Sequence, residues 1–381
     1  MVKKVAVVTE SFLPQVNGVT GSVVRVLETF KQREIDALVI APTSPTSKHL
    51  GFDVHTTVSL PVLQFPVAFP GPSISRALDS FEPDVVHVAA PFMIGAQAIA
   101  WANRRGVPSV AIYQTDVAGY LERYNLSFAR GAMDRLIATI HQGATINLAP
   151  TRDSADYLKS LGLGSVEIWG RGVDRDLFNP RYRETKESLK LRKQVAPSGE
   201  LVVGFVGRLA QEKQVHRMAE LFGLSGVRFL VVGDGPERPR LEQLFQGYPV
   251  TFTGALTGLD LANAYGAMDI FTHFGTEETF GQTIQEAQSA GLAVVAPNSG
   301  GPRNLIDHGV TGYLVDHEVA GAYREAVKKL VDVANRTRVG RNAEAAVSGK
   351  SWSANNAKLI GHYESALAMT RARIAEQLEL A

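Results

Sequence analysis

The sequence contains no cysteine among its 381 residues. This excludes disulfide bridges and thiolate metal sites and agrees with a reducing compartment such as the cytoplasm. Long hydrophobic runs are missing as well. The apolar run Val5–Val8 near the start is too short for the core of a secretory signal, and no stretch approaches the roughly 20 apolar residues of a membrane span. We therefore expect a cytoplasmic protein, with at most peripheral contact at the inner face of the plasma membrane.

An excess of charge of either sign is also missing, because 39 lysines and arginines balance 38 aspartates and glutamates. Proteins that bind nucleic-acid duplexes concentrate basic side chains on one surface, so no nucleic-acid partner is expected. The hydrophobic fraction of 45% is typical of a soluble globular protein. The length suits two domains of roughly 150–200 residues each.

Short β-branched runs alternate with longer amphipathic segments, which predicts repeated βα units and parallel sheets. In the first half a helix is predicted over 20–31, and strands are predicted over 5–8, 37–40, 85–88, 109–113 and 145–149. After a polar linker (174–200) the pattern restarts, with strands over 201–206, 229–232, 270–273 and 293–296. A long helix is predicted from Trp352 to about Gln377. The fold class predicted is α/β, with two doubly wound sheets in tandem and a ligand crevice at the carboxyl ends of their strands.

One segment, 59–72, is apolar but interrupted by prolines. It is predicted to be neither a helix nor a central strand. It is either a loop packed against the first domain or an exposed apolar lip for a lipid acceptor. The residues that would contact a membrane are Leu63, Phe65 and Phe69, together with Arg123, Arg130 and Arg135 of the segment 122–142.

Two glutamates, Glu278 and Glu286, have seven residues between them and flank Gly281 at a predicted strand-to-helix turn. A helix that begins near Phe280 would direct its free N–H groups and positive dipole end at an anion such as a diphosphate. Glu278 would lie before the helix, where sugar hydroxyls need a strong acceptor. Glu286, two turns in, could accept hydrogen bonds from a ribose diol. The alternative is helix capping plus solvated carboxylates.

A second cluster follows the strand 201–206, where Arg208 and Lys213 lie five residues apart. Two cations at the carboxyl end of a strand can neutralise the two phosphates of a departing nucleoside diphosphate. The alternative is a pair of surface cations. The string Gly233–Pro236 is interpreted as a turn after a strand rather than as a site.

A third candidate is Gly18, which follows the first predicted strand. A glycine at a helix start lets backbone approach a phosphate closely, although a simple turn is an equally good interpretation. The G-x-G-x-x-G spacing is absent, which argues against an NAD-linked oxidoreductase.

Together these residues resemble glycosyltransferase family 4, retaining enzymes of the GT-B fold. The matching motifs run through most of the chain and are Gly172-Val-Asp174 with Phe178 and Pro180, Val206-Gly-Arg208 with Glu212-Lys213, Val232–Pro236, Phe252-Thr-Gly254, the Glu278/Glu286 pair, and Gly300-Gly301 before Thr311-Gly312. The strings Glu10–Pro14 with Asn17–Val19 and Tyr113–Gly119 resemble a narrower group. That group comprises actinobacterial GDP-mannose-dependent α-mannosyltransferases that act on glucuronosyl diacylglycerol and phosphatidylinositol-type glycolipids. Sulfoquinovosyl-diacylglycerol synthases share much of the pattern.

The resemblance implies two Rossmann-like domains that face a cleft. It places the N-terminal, acceptor-binding domain at 1–175 and the nucleotide-sugar-binding domain at 176–352, with a C-terminal helix (353–381) that returns to the first domain.

The resemblance also implies a role for each candidate residue. Arg208 and Lys213, with backbone near Gly18, would hold the diphosphate. Glu278 and the N–H groups of Phe280 and Gly281 would hold the transferred hexose. Glu286 would hold the ribose, and the 252–256 loop would lie by the base.

The implied reaction needs no cofactor and no divalent metal, because basic groups on the diphosphate replace the metal. The partners implied are a nucleotide-sugar, with GDP-mannose favoured, and a lipid-linked acceptor. The enzyme would be a retaining α-mannosyltransferase in which the acceptor attacks as the diphosphate leaves.

Three positions depart from the family's pattern. Many relatives have histidine in the loop after the fourth strand, where this chain has Gln114 and Asp116, so one of these two is expected to bind the transferred sugar. Gln214 and Asn304 stand where a glycine and an acid are common. The alternatives are a UDP-sugar donor, a GT-B nucleotide-sugar epimerase and a non-catalytic sugar-nucleotide-binding module.

Overall fold

The computed structural model describes residues 1–15, 17–62, 65–115, 128 and 130–379, with the backbone alone described at 61, 62, 65 and 66. Three predicted site residues, Leu63, Asp116 and Arg123, lie outside the described residues. The chain forms two compact units: unit 1 comprises Met1–Arg171 and Trp352–Ala381, and unit 2 comprises Gly172–Ser351.

Unit 1 is built on an eight-stranded sheet and a separate two-stranded hairpin. Its strands are β1 (Lys4–Thr9), β2 (Asp36–Ala41), β3 (Lys48–His49), β4 (Phe52–Thr56), β5 (Ser59–Val62), β6 (Phe65–Ala68), β7 (Val85–Ala89), β8 (Ser109–Ile112), β9 (Ile146–Ala149) and β10 (Glu167–Ile168). The sheet order is β10-β9-β8-β7-β1-β2-β4-β3, and only the pairing of β3 with β4 is antiparallel. The chain thus starts in the middle of the sheet and winds outward in both directions, as in a Rossmann fold.

Helices cover the sheet of unit 1, which explains why its central strands are continuous apolar runs rather than alternating ones. The helices are α1 (Gly18–Gln32), α2 (Pro72–Phe81), α3 (Met93–Arg105), α4 (Arg130–Gln142) and α5 (Arg152–Ser160). All five residues of β7 are buried, and the last five of the six residues of β1 are also buried.

Unit 2 has a six-stranded sheet in which every pair is parallel. Its strands are β11 (Leu201–Val206), β12 (Val227–Val232), β13 (Val250–Gly254), β14 (Ile270–Thr272), β15 (Ala293–Pro297) and β16 (Gly312–Val315). Its helices are α6 (Lys186–Val195), α7 (Arg238–Leu244), α8 (Gly258–Gly266), α9 (Gln282–Ser289), α10 (Gly300–Leu305), α11 (Ala322–Val331) and α12 (Val333–Ala346). The order β13-β12-β11-β14-β15-β16 is again doubly wound.

The last helix, α13 (Trp352–Glu379), belongs to unit 1 although it follows unit 2 in the chain. The Tyr363 hydroxyl lies 2.5 Å from His87 Nδ1 in β7. The Asn356 amide donates to the Arg25 carbonyl of α1 at 2.9 Å. The predicted α/β class, the two Rossmann-like units and the C-terminal helix that returns to the first unit are therefore confirmed.

The order in which the chain adds strands to the sheet changes direction between β1 and β7 in unit 1 and between β11 and β14 in unit 2. In doubly wound sheets, ligands bind outside the carboxyl ends of the strands at these switch points. The loops there begin at Glu10 and Ala90 in unit 1, and at Gly207 and His273 in unit 2.

Two sequence predictions were wrong in detail. The predicted linker 174–200 contains helix α6, in which Thr185 caps the first turn by accepting from Ser188 N at 3.2 Å and Val195 packs into the core of unit 2. The segment 59–72 contains the β5–β6 hairpin instead of a loop. Two strands that pair only with each other satisfy the prediction of neither a helix nor a central strand.

Candidate functional site

The two predicted diphosphate-binding cations follow β11 in a tight loop. Arg208 lies two residues after the strand and Lys213 ends a single 3₁₀ turn, Gln211–Lys213. The Arg208 guanidinium forms an ion pair with the carboxylate of Glu212, which is buried. Both cations are thus held at the carboxyl end of β11, beside the switch point of unit 2.

Lys213 is joined to Glu278 across the switch point. Its ammonium group forms an ion pair with Glu278 Oε2, and both side chains are mostly buried. The Gln214 amide donates to Thr276 Oγ1 at 2.8 Å, which ties the loop after β11 to the loop after β14 a second time. The fold therefore brings together Lys213 and Glu278, which are 65 residues apart in the sequence.

His273 lies behind this pair, directly after β14. Its side chain is fully buried, with Nε2 3.7 Å from Glu278 Oε2. Burial lowers the pKa of His273 to about 4, although Glu278 acts in the opposite direction. The imidazole is therefore neutral at physiological pH, and Lys213 supplies the positive charge next to Glu278.

The turn between Glu278 and α9 requires glycine at position 281, whose φ is +99°. Left-handed backbone of this kind is unfavourable for residues with a Cβ, so the helix begins only at Gln282. Glu286 is consequently little more than one turn into α9 rather than two turns in. Glu278 lies before the helix, as predicted, and its carbonyl accepts from Gly301 N at 2.6 Å.

Glu286 is held by Tyr265, a residue that no sequence pattern singles out. The Tyr265 hydroxyl, on the last turn of α8, lies 2.9 Å from Glu286 Oε2. Tyr265 is fully buried, and burial, followed by the charge of Glu286, raises its pKa well above the ordinary value. The phenol therefore stays protonated and donates to the carboxylate.

In unit 1, Gly18 is the first residue of α1, and Asn17 caps the helix by accepting from Val19 N and Thr20 N, both at 3.0 Å. The guanidinium of Arg171 packs against Gly18 so closely that a Cβ there would collide with it. Arg171 is buried and donates to Gln114 Oε1 at 3.2 Å. Glycine at this position therefore admits a side-chain cation next to the helix start.

Glu10 is a further carboxylate at the unit 1 switch point. Its Oε1 accepts from the backbone N–H groups of Phe92, Ile94 and Gly95 at 3.0–3.1 Å, so it caps α3. Burial raises the pKa of Glu10 to about 7, because desolvation outweighs these three hydrogen bonds. The bonds are typical of a helix N-terminus that binds an acceptor.

The remaining predicted positions lie in a turn, in the core and on the surface. The Gly233–Pro236 string is a turn after β12, as predicted, and it packs on the loop after β11, with Leu209 N donating to Asp234 O at 2.9 Å. Phe280 is buried. Phe69 is 38% exposed and Leu60 of the hairpin is 57% exposed, while Ala68 is buried in the core of unit 1.

The sequence analysis assigned no role to five residues of these arrangements, Glu10, Arg171, Glu212, Tyr265 and His273, although Glu10 and Glu212 lie in its family motifs. Glu10, Glu212 and His273 carried a usable signal, because each lies at or near the carboxyl end of a predicted strand or beside a candidate cation. Arg171 and Tyr265 carried none, because their partners are distant in the sequence. Among the described residues no group of three or more metal-ligating side chains forms, and no helix there is long and apolar enough to cross a membrane.

The chain matches two family models. Residues 16–177 match the model described as glycosyltransferase family 4, and residues 187–346 match the model described as glycosyl transferases group 1. The matches fall on both units and leave out the first 15 residues, a short stretch between the two models and the C-terminal helix.

Relatives are similar over nearly the whole chain. A GDP-mannose-dependent alpha-mannosyltransferase of Mycobacterium tuberculosis is 42% identical, over 95% of this chain and 96% of its own. A protein of the same name from Corynebacterium glutamicum is 40% identical, over 97% of this chain and 90% of its own.

The fold is also that of solved glycosyltransferase structures. HepE of Anabaena, crystallised in complex with UDP, superposes with a TM-score of 0.79 at 20% identity, over 95% of this chain and 100% of its own. At this identity the likeness concerns the fold alone. With two family models and relatives of at least 40% identity, the chain belongs to glycosyltransferase family 4 and has the GT-B fold.

Proposed function

We propose that the protein is a retaining α-mannosyltransferase that transfers mannose from GDP-mannose to a membrane glycolipid, without a divalent metal. The observation that carries the proposal is the cluster at the unit 2 switch point, where Arg208, Lys213, Glu278 and Glu286 are held by β11, β14 and α9. The mannose and GDP parts are supported by the names of relatives at 40–42% identity.

In this proposal the bond between the anomeric carbon and the β-phosphate oxygen breaks while the acceptor oxygen bonds to the same face of that carbon. The departing phosphate takes the acceptor's proton. Negative charge develops on the diphosphate, and Arg208 with Lys213 stabilise it, which is the role that a metal ion fills in other enzymes. Glu278, already beside Lys213, accepts hydrogen bonds from mannose hydroxyls, and Glu286 accepts them from the ribose.

The acceptor in this proposal is a membrane glycolipid. It is supported by the likeness of the first-domain motifs to glycolipid mannosyltransferases and by two apolar side chains exposed to solvent, Leu60 in the β5–β6 hairpin and Phe69 directly after it. Two such side chains contribute a few kcal/mol when they leave water, enough for reversible docking on a membrane surface.

The donor is tested by calorimetric titration with GDP, UDP and ADP, followed by transfer assays with the matching nucleotide-sugars. We expect GDP to bind most tightly and GDP-mannose to be consumed only when an acceptor is present. Tighter binding of UDP would indicate a UDP-sugar as the donor instead of GDP-mannose. Turnover of the nucleotide-sugar without acceptor would indicate an epimerase.

The same assay tests the metal-free part of the proposal. Addition of EDTA should leave the rate unchanged, because in this proposal Arg208 and Lys213 neutralise the departing diphosphate in place of a metal. A loss of activity that Mg²⁺ or Mn²⁺ restores would overturn it.

The acceptor is tested with a Leu60→Ser, Phe69→Ser double variant and vesicles that contain a glucuronosyl diacylglycerol. The variant should keep its melting temperature and its GDP affinity, lose vesicle binding, and still act on a water-soluble acceptor analogue. A Val331→Ser, Val333→Ser variant serves as control, because it removes two exposed apolar side chains of unit 2 (48% and 64% exposed). Equal vesicle binding by both variants would contradict a role for the hairpin.

A further inference from the structure

Tyr265 is a tyrosine that the packing of unit 2 fixes in one place. It lies on the last turn of α8, fully buried. Phe178 packs edge-on against its ring at a centroid distance of 5.4 Å, and Phe271 of β14 lies 5.9 Å away. Because the ring is fixed between two aromatic neighbours, its hydroxyl is fixed as well.

The hydroxyl has two acceptors within reach but only one proton. Glu286 Oε2 is at 2.9 Å and the Thr283 carbonyl is at 3.3 Å. The shorter contact is to the carboxylate, and hydrogen bonds to an ionised acceptor are the stronger ones. The Tyr265 proton therefore belongs to Glu286.

A carboxylate offers about four acceptor positions, so one bond from Tyr265 leaves capacity for both hydroxyls of a ribose. What the bond removes is rotational freedom. Glu286 lies in α9 and is partly exposed, and each hydrogen bond to its carboxylate narrows the range of rotamers that the side chain samples. A diol needs both carboxylate oxygens in one orientation, so a fixed carboxylate binds it at a lower entropic cost.

We propose that Tyr265 is a positioning residue that orients Glu286 for the ribose and thereby sets the preference for ribonucleotide over deoxyribonucleotide donors. The inference rests on the proposed function. It extends that function by naming a residue that touches no substrate and acts through Glu286.

The test is calorimetric titration of the full chain and a Tyr265→Phe variant with GDP and 2′-deoxy-GDP. We expect the variant to lose about fivefold to tenfold in GDP affinity, the size of one hydrogen bond's contribution. Because 2′-deoxy-GDP offers Glu286 only the 3′-hydroxyl, its affinity should fall by a smaller factor, so that the discrimination between the two nucleotides narrows. In transfer assays the donor KM should rise at constant kcat, because the ribose contact is equal in ground and transition states.

The chain offers a matched control in Tyr323, another fully buried tyrosine of unit 2. Its hydroxyl has no hydrogen-bond partner within the described part of the chain. Tyr323→Phe should change neither affinity. In a Glu286→Ala background, Tyr265→Phe should have no further effect on GDP binding, since there is no carboxylate left to orient.

Equal losses for GDP and 2′-deoxy-GDP would show that Tyr265 only stabilises the fold, and an unchanged GDP affinity would overturn the inference outright. If Tyr265→Phe does not fold, Glu286→Asp replaces it, because the shorter side chain withdraws the carboxylate from the hydroxyl; retained discrimination there would likewise contradict the inference. A wild-type chain that binds no GDP would instead refute the proposed function, so the two failures are distinguishable.

Discussion

Units 1 and 2 share a doubly wound strand order but carry different chemistry at their switch points. In unit 2 the loops after β11 and β14 are joined by charge, through the Lys213–Glu278 ion pair, and the Arg208–Glu212 pair lies within the first of these loops. In unit 1 the corresponding loops are joined by helix capping, because Glu10 of one loop accepts from the backbone at the start of α3.

Strand order determines where a crevice forms, whereas the side chains at the crevice decide which chemistry it can perform. Two cations beside two carboxylates can stabilise a charged leaving group. A carboxylate that is committed to a helix start offers little toward a substrate. We therefore expect variants of Arg208 and Lys213 in unit 2 to affect turnover, and a variant of Glu10 in unit 1 to affect stability.

The largest effect is expected when a cation of unit 2 is removed. Lys213→Ala or Arg208→Ala should lower kcat by about 10²–10³, as the loss of one preorganised transition-state contact typically does. The control is Arg228→Ala, which breaks the 2.8 Å ion pair with Glu200 at the amino end of β12. Surface pairs of this kind contribute about 0–1 kcal/mol to stability, so kcat should not change. A comparable loss of kcat in Arg228→Ala would contradict a specific role for the cations at the carboxyl end of the sheet.

A smaller effect is expected for the two glutamates of unit 2, whose removal should affect different steps, GDP binding for Glu286 and transfer for Glu278. Glu286→Ala should weaken GDP binding by about 1–3 kcal/mol, the range for hydrogen bonds that involve a charged group. Glu278→Ala should leave GDP affinity unchanged or higher, because it releases Lys213 from its carboxylate partner, while transfer falls. Calorimetry with free GDP and a transfer assay measure the two effects, and equal losses of GDP affinity in both variants would contradict the assignment.

The smallest effect concerns acid stability and compares the units directly. His141 in unit 1 and His273 in unit 2 are both buried, and burial lowers the pKa of each to about 4. Each therefore contributes stability that is complete above about pH 6.5, its unfolded pKa, and that is lost as the pH falls toward 4. His141→Gln should reduce the pH dependence of the unfolding free energy in that window by at most about 1.4 kcal/mol per pH unit.

Tryptophan fluorescence during urea unfolding measures this effect in one unit, since Trp101, Trp169 and Trp352 are the chain's 3 tryptophans and all lie in unit 1. His141→Gln should therefore change the pH dependence of the fluorescence transition, and His273→Gln should not. A change in the fluorescence transition with His273→Gln would show that the two units unfold together, so that their stabilities could not be compared separately.

Much of the fold could be predicted from the sequence because the relevant forces act locally. The apolar runs at Val5–Val8 and Leu201–Val206 became central strands, and Gly281 marked a strand-to-helix turn because few other residues adopt its backbone conformation. Helix α6 was missed because proline and glycine punctuation on both sides made its segment resemble a linker.

By itself the sequence thus determined the α/β class, the two doubly wound units and the candidate residues Arg208, Lys213, Glu278 and Glu286. Only the tertiary structure decided which of them pair: Lys213 with Glu278, and Glu286 with Tyr265. It also decided that Arg171 packs against Gly18 and that Tyr363 reaches His87 across 276 positions of sequence. Periodicity and propensity report on neighbours along the chain, whereas these contacts exist only after helices and strands have packed, and nothing in the local sequence specifies a distant partner.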